Sequence, residues 1–362
     1  MRIAGLLAAA VLLTPGTAAA QTARPITVAE VERALAPLVE RYGVSGAEGP
    51  VRDLVRDGLP AWVHSETDTA GNLWVRVGSG APTVVFVAHL DEIGWRVTDI
   101  REDGQLLLES RGGFFPSLYE AEPALVHTPT GDVPGVFPPR DSASSRRSPG
   151  ALRVDVGTTG RAATEALGIE PGATVTMPKQ YVRLSGTRAT GRSFDDRVGC
   201  VALLLALTHL APARLRHGVV FLWSVREEIG LEGARVAADA LGTTPARVHA
   251  IDSFVSADAP LELRTYGDAP LGQGPVIRAL DNSAAATPVL VDSLRALARR
   301  AAVPLQYGTT SGGNDGSTFL PWGVPDVAIG WPLRYAHSPA ETIDLRDVAR
   351  LAEVVRLIAE RW

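Results

Sequence analysis

The chain has 362 residues, with 35 Lys and Arg against 40 Asp and Glu, a formal net charge of −5, 46% hydrophobic residues and one cysteine, Cys200. That apolar fraction excludes wholesale disorder, and the slightly acidic balance excludes a general nucleic-acid binder, which needs a basic surface. A lone cysteine excludes an intrachain disulfide and a cysteine-based zinc site, so any metal must be held by His and carboxylates.

Arg2, the apolar run from Ile3 to Leu13, Pro15 and the small residues Ala18-Ala19-Ala20 follow the three-part plan of a secretory signal peptide. The run is too short for a permanent membrane span, and no later stretch reaches about 18 uninterrupted apolar residues. The sequence therefore predicts an exported bacterial protein, periplasmic or extracellular, cleaved after Ala20. Thr27 and Glu30 predict a capping box for a helix with apolar positions Val31, Leu35, Leu38, Val39 and Tyr42, and Ser45 with Glu48 repeat the signal for a second helix to about Leu59. Strands are expected at 61–67, 73–77 and 83–88, the last ending at His89.

From about 98 to 192 the chain turns to short alternating segments rich in Gly and Pro, which predicts a small β-rich insertion. Within it, the Ser-, Pro- and Arg-rich stretch 138–150 predicts a mobile surface loop. Helices are then expected at 197–210, 233–241, 287–302 and 345–361, with strands at 219–223, 247–251 and 324–330. This alternation predicts an α/β fold, a mixed and mostly parallel sheet flanked by helices. The expected organisation is a signal segment at 1–20, an α/β catalytic unit from 21–97 and 190–362, and the insertion at 98–189.

The positions of acids and histidines relative to strands carry the chemistry. His89 and Asp91 follow the strand 83–88, Glu227 and Glu228 follow the run 219–225, and Asp252 follows 248–251. In an open α/β sheet, ligands bind beyond the carboxyl ends of the strands, so these segments meet at one edge. Asp195-Asp196 precede a helix and His337 lies in a loop before the last one. Two imidazoles and several carboxylates suit a pair of divalent ions with N/O preferences. Such a pair, about 3.5–4 Å apart, needs one carboxylate bridging both ions, terminal ligands on each and an open face. A further carboxylate must take a proton from water. Adjacent acids repel unless dications offset the charge, as at Asp195-Asp196 and Glu227-Glu228. The sequence has no H-E-x-x-H, G-x-S-x-G or phosphate-loop signature.

The segments AHLDEIG (88–94), FDDRVGC (194–200), EEIGLEGA (227–234), AID (250–252), GGND (312–315) and HSP (337–339) stand in the order found in M42 aminopeptidases, which this chain resembles over nearly all of its length after the signal. The resemblance implies a zinc-peptidase-like scaffold binding two divalent metal ions, zinc first with cobalt or manganese as alternatives, and hydrolysis of N-terminal residues from peptides. It implies that Asp195 bridges the ions, that His89 and Asp252 complete one set and Glu228 and His337 the other, and that Glu227 is the general base. Asp91 would hold the second nitrogen of His89. Asp196 would shape the local geometry and not coordinate. Many members form large assemblies, which leaves self-association open here.

The remaining histidines, His64, His127, His209, His217 and His249, are expected to be structural or exposed, Glu232 to serve a helix's first turn, and Cys200 to pack. Arg197 is expected either to pair with a ligand carboxylate or to cap a solvent-facing turn, and Asp315 either to lie near the substrate or to form a turn. Two other readings stand beside the aminopeptidase: a related dinuclear hydrolase, namely a carboxypeptidase or N-acyl amino-acid deacylase, and a non-catalytic binding protein on the same fold.

Overall fold

The computed structural model describes residues 24–139, 152–259 and 267–362. The expected signal segment and most of the expected loop at 138–150 lie outside the described residues. Helices α1 (Val28–Glu40) and α2 (Gly49–Asp57) are followed by strands β1 (Ser65–Thr67), β2 (Leu73–Val77) and β3 (Pro82–His89). Next come β4 (Gly94–Ile100), β5 (Leu106–Arg111), β6 (Pro123–Thr128), β7 (Gly131–Val136), β8 (Arg153–Val154), α3 (Arg161–Glu165) and β9 (Thr174–Thr176). Strands β10 (Val182–Arg183) and β11 (Arg188–Gly191) lead to α4 (Phe194–His209), β12 (Gly218–Ser224), α5 (Glu232–Leu241), β13 (Arg247–Val255) and β14 (Val276–Leu280). The chain closes with α6 (Pro288–Arg300), β15 (Gln306–Thr309), β16 (Ile329–Leu333), β17 (Glu341–Asp344) and α7 (Leu345–Arg361).

The main sheet has eight strands in the order β1-β2-β12-β3-β13-β16-β14-β15. Its centre, β12, β3, β13 and β16, is parallel, with antiparallel pairings at β1–β2, β2–β12 and β16–β14. Central strands buried on both faces need apolar residues at every position, and β3 supplies them. Val84, Phe86 and Ala88 join the cluster formed with α1, α4 and α7, while Val85 and Val87 join Ala237, Ala238 and Phe319 on the opposite face. A six-stranded antiparallel sheet, β7-β6-β9-β4-β5-β8, closes around a separate apolar cluster that includes Trp95, Ile100, Tyr119, Val126 and Phe137.

Several boundaries differ from expectation. The capping box of α1 forms, with Thr27 Oγ1 accepting from Glu30 N at 3.2 Å and Glu30 Oε2 accepting from Thr27 N at 2.9 Å. The second box does not: Ser45 Oγ donates to Asp91 at 2.6 Å, and Glu48 accepts from the N–H groups of Gly46 and Arg226. Tertiary bonds take both side chains, and α2 opens at Gly49 with Pro50 in its first turn. The strand expected at 61–67 shortens to Ser65–Thr67, and the one expected at 324–330 becomes Ile329–Leu333. Antiparallel pairing of the β-rich region begins at Gly94, ahead of the expected boundary at 98. Among the described residues no helix is long and apolar enough to cross a membrane.

Candidate metal centre

Parallel pairing aligns the carboxyl ends of β12, β3 and β13. Ser224, the last residue of β12, sits opposite His89, the last of β3. Asp252 on β13 lies opposite Gly330 of β16, where a Cβ would fall 2.4 Å from the Asp252 carbonyl oxygen. Only glycine lets that strand approach the acid so closely. His89, Asp195, Glu227, Glu228, Asp252 and His337 all line one cavity of about 600 Å³ at this edge.

Asp195 stands at the centre. Its Oδ1 lies 3.2 Å from His89 Nε2, and its Oδ2 lies 3.6 Å from His337 Nε2. His337 Nε2 is also 3.4 Å from Glu228 Oε1. Ligand atoms of His89, Asp195 and Glu228 all fall within 4.8 Å of one another. The donor set of imidazole nitrogens and carboxylate oxygens fits divalent ions with borderline N/O preference. Asp252, across the cavity, holds Arg278 at 3.1 Å, and Ser253 Oγ donates to Asp195 Oδ2 at 2.8 Å.

Asp91 organises two segments at once. His89 Nδ1 is 3.5 Å from Asp91 Oδ1 and 3.2 Å from the Asp91 carbonyl oxygen. The same carboxylate accepts the N–H groups of Glu227 at 3.0 Å and Glu228 at 3.1 Å. That turn is bounded by Arg226 and Leu231, left-handed non-glycine residues with φ of 55° and 58°, a conformation that surrounding structure must hold in place. Asp196, joined to Asp195 by a cis peptide bond, turns away from the cavity to accept His89 N at 2.9 Å and Gly199 N at 2.8 Å.

The electrostatics follow from crowding. Burial opposes charge on Asp195, yet hydrogen bonds from His337 and His89 hold it well below the usual carboxylate range. Burial likewise opposes charge on Asp91, and His89 and Ser45 hold it down. Burial, joined by the neighbouring Asp252 and Glu228 carboxylates, pushes Glu227 well up, and burial with Asp195 raises Asp252 to about 6 against the pull of Arg278. The Glu228 carboxylate holds His337 well above the ordinary imidazole range, and the Asp195 and Asp91 carboxylates do so for His89 against its burial. Such separation of proton affinities within one cleft marks acid–base and ligand groups.

Of the remaining residues, Arg197 departs from both of its expected places, while Glu232 and Cys200 stand where expected. Arg197 neither pairs with a ligand carboxylate nor caps a solvent-facing turn. It is fully buried, 3.3 Å from Glu92, and donates to the carbonyl oxygens of Leu90 and Leu38. Asp315 does not line the cavity; it is buried, accepts a hydrogen bond from Ser224 and is raised by burial to about 7. Glu232 opens α5 and pairs with Arg226 at 2.6 Å. Cys200 is buried in the core. Of the other histidines, His127 bonds Asp132, His209 bonds Glu30 and His249 bonds the Val327 carbonyl oxygen.

Sequence reasoning missed Glu341. Its carboxylate accepts His337 N at 3.0 Å and Asp195 N at 3.3 Å, joining two ligand segments from behind, and burial raises it to about 8. A signal existed in its place two residues after the H-S-P segment, but an acid in a loop carries no mark of its partner.

Two imidazoles and a belt of carboxylates at the carboxyl edge of an α/β sheet define the class of metal-dependent hydrolases. The M42 glutamyl aminopeptidase family model matches residues 71–354, and the chain belongs to that family. It is similar to the lysyl aminopeptidase of Pyrococcus furiosus, 30% identical over 337 residues that cover 89% of this chain and 95% of the relative. To the glutamyl aminopeptidase of Lactococcus lactis it is 29% identical over 340 residues, 89% of this chain and 93% of that one. Among solved structures it is similar to the Pyrococcus horikoshii TET1 peptidase, which can assemble into a tetrahedron or a large octahedral shell, with a TM-score of 0.83 and 31% identity over 93% of this chain and all of that one. The chain is a metal-dependent peptide hydrolase of the aminopeptidase type, in a family of dinuclear metal enzymes.

Proposed function

We propose that this protein is an exported two-metal aminopeptidase whose ions are held by His89, Asp195, Glu228, Asp252 and His337. The observation that carries the reading is the Asp195 carboxylate, which turns one oxygen toward each imidazole, at 3.2 and 3.6 Å. A carboxylate so divided is one that would hold two ions were both bound. Bound there, zinc, or cobalt or manganese in its place, supplies Lewis acidity that polarises the scissile carbonyl and acidifies water. Asp91 fixes His89 and the Glu227-Glu228 turn against one another. Glu227, held high in proton affinity by burial and neighbouring acids, takes the proton from water and passes it to the leaving amine.

A carboxypeptidase or N-acyl amino-acid deacylase needs a cation for the substrate carboxylate. Arg278 lines the cavity but is committed to Asp252 at 3.1 Å and Asp281 at 3.0 Å, which favours the aminopeptidase. Export is inferred from the segment Arg2 to Ala20, and sequencing the N-terminus of protein recovered outside the cytoplasm tests it. Self-association is inferred from the TET1 likeness, and the solution mass of the purified protein tests it.

The deciding experiment pairs metal analysis of the mature protein with a panel of free and N-acetylated peptides. Two ions per chain and cleavage of unblocked peptides alone are expected. A filled site that removes no N-terminal residue from any peptide overturns the reading. Glu227→Gln should keep its metal and lose at least about 100-fold in kcat; near-normal turnover with full metal would remove Glu227 from the proton-transfer role.

A further inference from the structure

Resting on the aminopeptidase reading, we propose that the N-terminal side chain this enzyme accepts is large and apolar, in contrast to the acidic and basic residues in the names of its glutamyl and lysyl relatives. Apart from the metal-ligand set, Glu227 and Arg278, the walls of the cavity are supplied by Phe114, Phe115, Leu231, Val255 and Tyr335, with serine, alanine and glycine residues between them. The main body contributes Leu231, just after the Glu227-Glu228 turn, and Val255, three residues beyond Asp252 on the same strand. The opposite wall comes from the segment after β5. There Phe114 is fixed by edge contacts with Trp95 at 4.7 Å and Tyr119 at 5.2 Å between ring centroids, while Phe115 is 75% exposed at the mouth. Tyr335 lies two residues before His337 and is 40% exposed.

The charges in the cavity are already engaged. Arg278 is the only cation other than imidazole that lines it among the described residues. Besides Asp252 and Asp281, its guanidinium donates to the carbonyl oxygens of Ser253, Gly312 and Gly313 at 2.9, 3.3 and 2.9 Å. Both terminal nitrogens are thereby engaged, and Nε, 3.0 Å from Asp281, is buried, which leaves little of the guanidinium for a glutamyl carboxylate. Among the described residues, the acids that line the cavity are the ligands and Glu227, whose charge serves the ions and the proton transfer, and no further carboxylate waits there for a lysyl ammonium. A charged side chain entering this space would leave water without finding a partner, whereas leucyl and phenylalanyl side chains would bury against matching surface. A cavity of about 600 Å³ admits them together with the peptide backbone.

The test uses the mature, metal-loaded enzyme with the p-nitroanilides of Leu, Phe, Glu and Lys, and N-acetyl-Leu p-nitroanilide as the blocked control. The Leu and Phe substrates are expected to exceed Glu and Lys in kcat/KM by at least about tenfold. Equal or faster cleavage of Glu or Lys would overturn the apolar preference while leaving the aminopeptidase reading intact. Cleavage of none, or of the acetylated substrate, would overturn the aminopeptidase reading beneath it. Val255→Asp, with unchanged metal content, is expected to lower the Leu-to-Lys ratio by about tenfold. An unchanged ratio in that variant would overturn the placing of Val255 against the substrate side chain.

Discussion

At the scale of single residues, the geometry of the centre depends on acids that touch no substrate. Glu341 is one: it accepts the backbone N–H groups of both Asp195 and His337, so it sets the spacing between a central carboxylate and a terminal imidazole. Removing such a support costs about 10–100-fold in metal affinity or activity. Glu341→Ala should therefore weaken metal retention by that factor on dialysis against a competing chelator, with secondary structure by circular dichroism unchanged. Normal retention would show that the loop holds His337 without it. Gly199 makes a comparable point. A Cβ there would sit 2.3 Å from Asp196 Oδ1, so the acid that supports the His89 backbone has room only because position 199 is glycine.

Among the elements, the joint between α1, the start of β4 and α4 is electrostatic. Glu92 is fully buried with Lys179 at 2.7 Å and Arg192 and Arg197 each at 3.3 Å, and it also accepts Gly43 N at 2.8 Å. These three cations hold its carboxyl well below the usual range despite burial, while burial pushes Lys179 down to about 7. Glu92→Gln leaves the cations without their counter-charge and should cost about 3–5 kcal/mol in urea unfolding. The loss should shrink as pH rises toward 7 and then level off, because without Glu92 to raise it Lys179 releases its proton at a lower pH in the variant than in the wild type.

This joint also shows what a sequence reveals. The helices α1 and α7 were legible because one face of each repeats apolar residues at helical spacing, and β3 because an unbroken apolar run ends in a histidine. The metal-ligand candidates were legible because each follows a strand or opens a helix within a recognisable segment. Ser45, Glu48 and Arg197 misled for one physical reason: each has a polar group that serves a local cap or a distant partner equally well, and only the fold chooses. Ser45 went to Asp91, Glu48 to the Arg226 backbone and Arg197 to Glu92. Glu341 was invisible because its partners are backbone N–H groups, which every residue but proline carries.

For the whole molecule, stability should carry a pH signature from acids buried away from the centre. Asp347, in the first turn of α7, accepts Gly272 N at 2.6 Å and Gly274 N at 2.7 Å, yet burial raises it to about 7. The folded protein thus binds this proton more tightly than the unfolded chain does. Its contribution to folding is complete below the unfolded value of about 4 and is lost as pH rises toward 7. Asp347→Asn should remove this component, so the difference in urea midpoint between variant and wild type should move in the variant's favour from pH 4 to pH 8. A constant difference would mean that Asp347 ionises normally in the folded state.

The five ligand candidates come from β3, α4, the turn after β12, β13 and the loop before β17, segments scattered from one end of the catalytic sheet's sequence to the other. No two of them that meet across Asp195 are neighbours in the chain. An unfolded polypeptide therefore presents nothing that resembles the binding site, only isolated imidazoles and acids. Ion capture would therefore come late, after closure of the longest loops in the topology, and any metal held would report the conditions under which folding finishes.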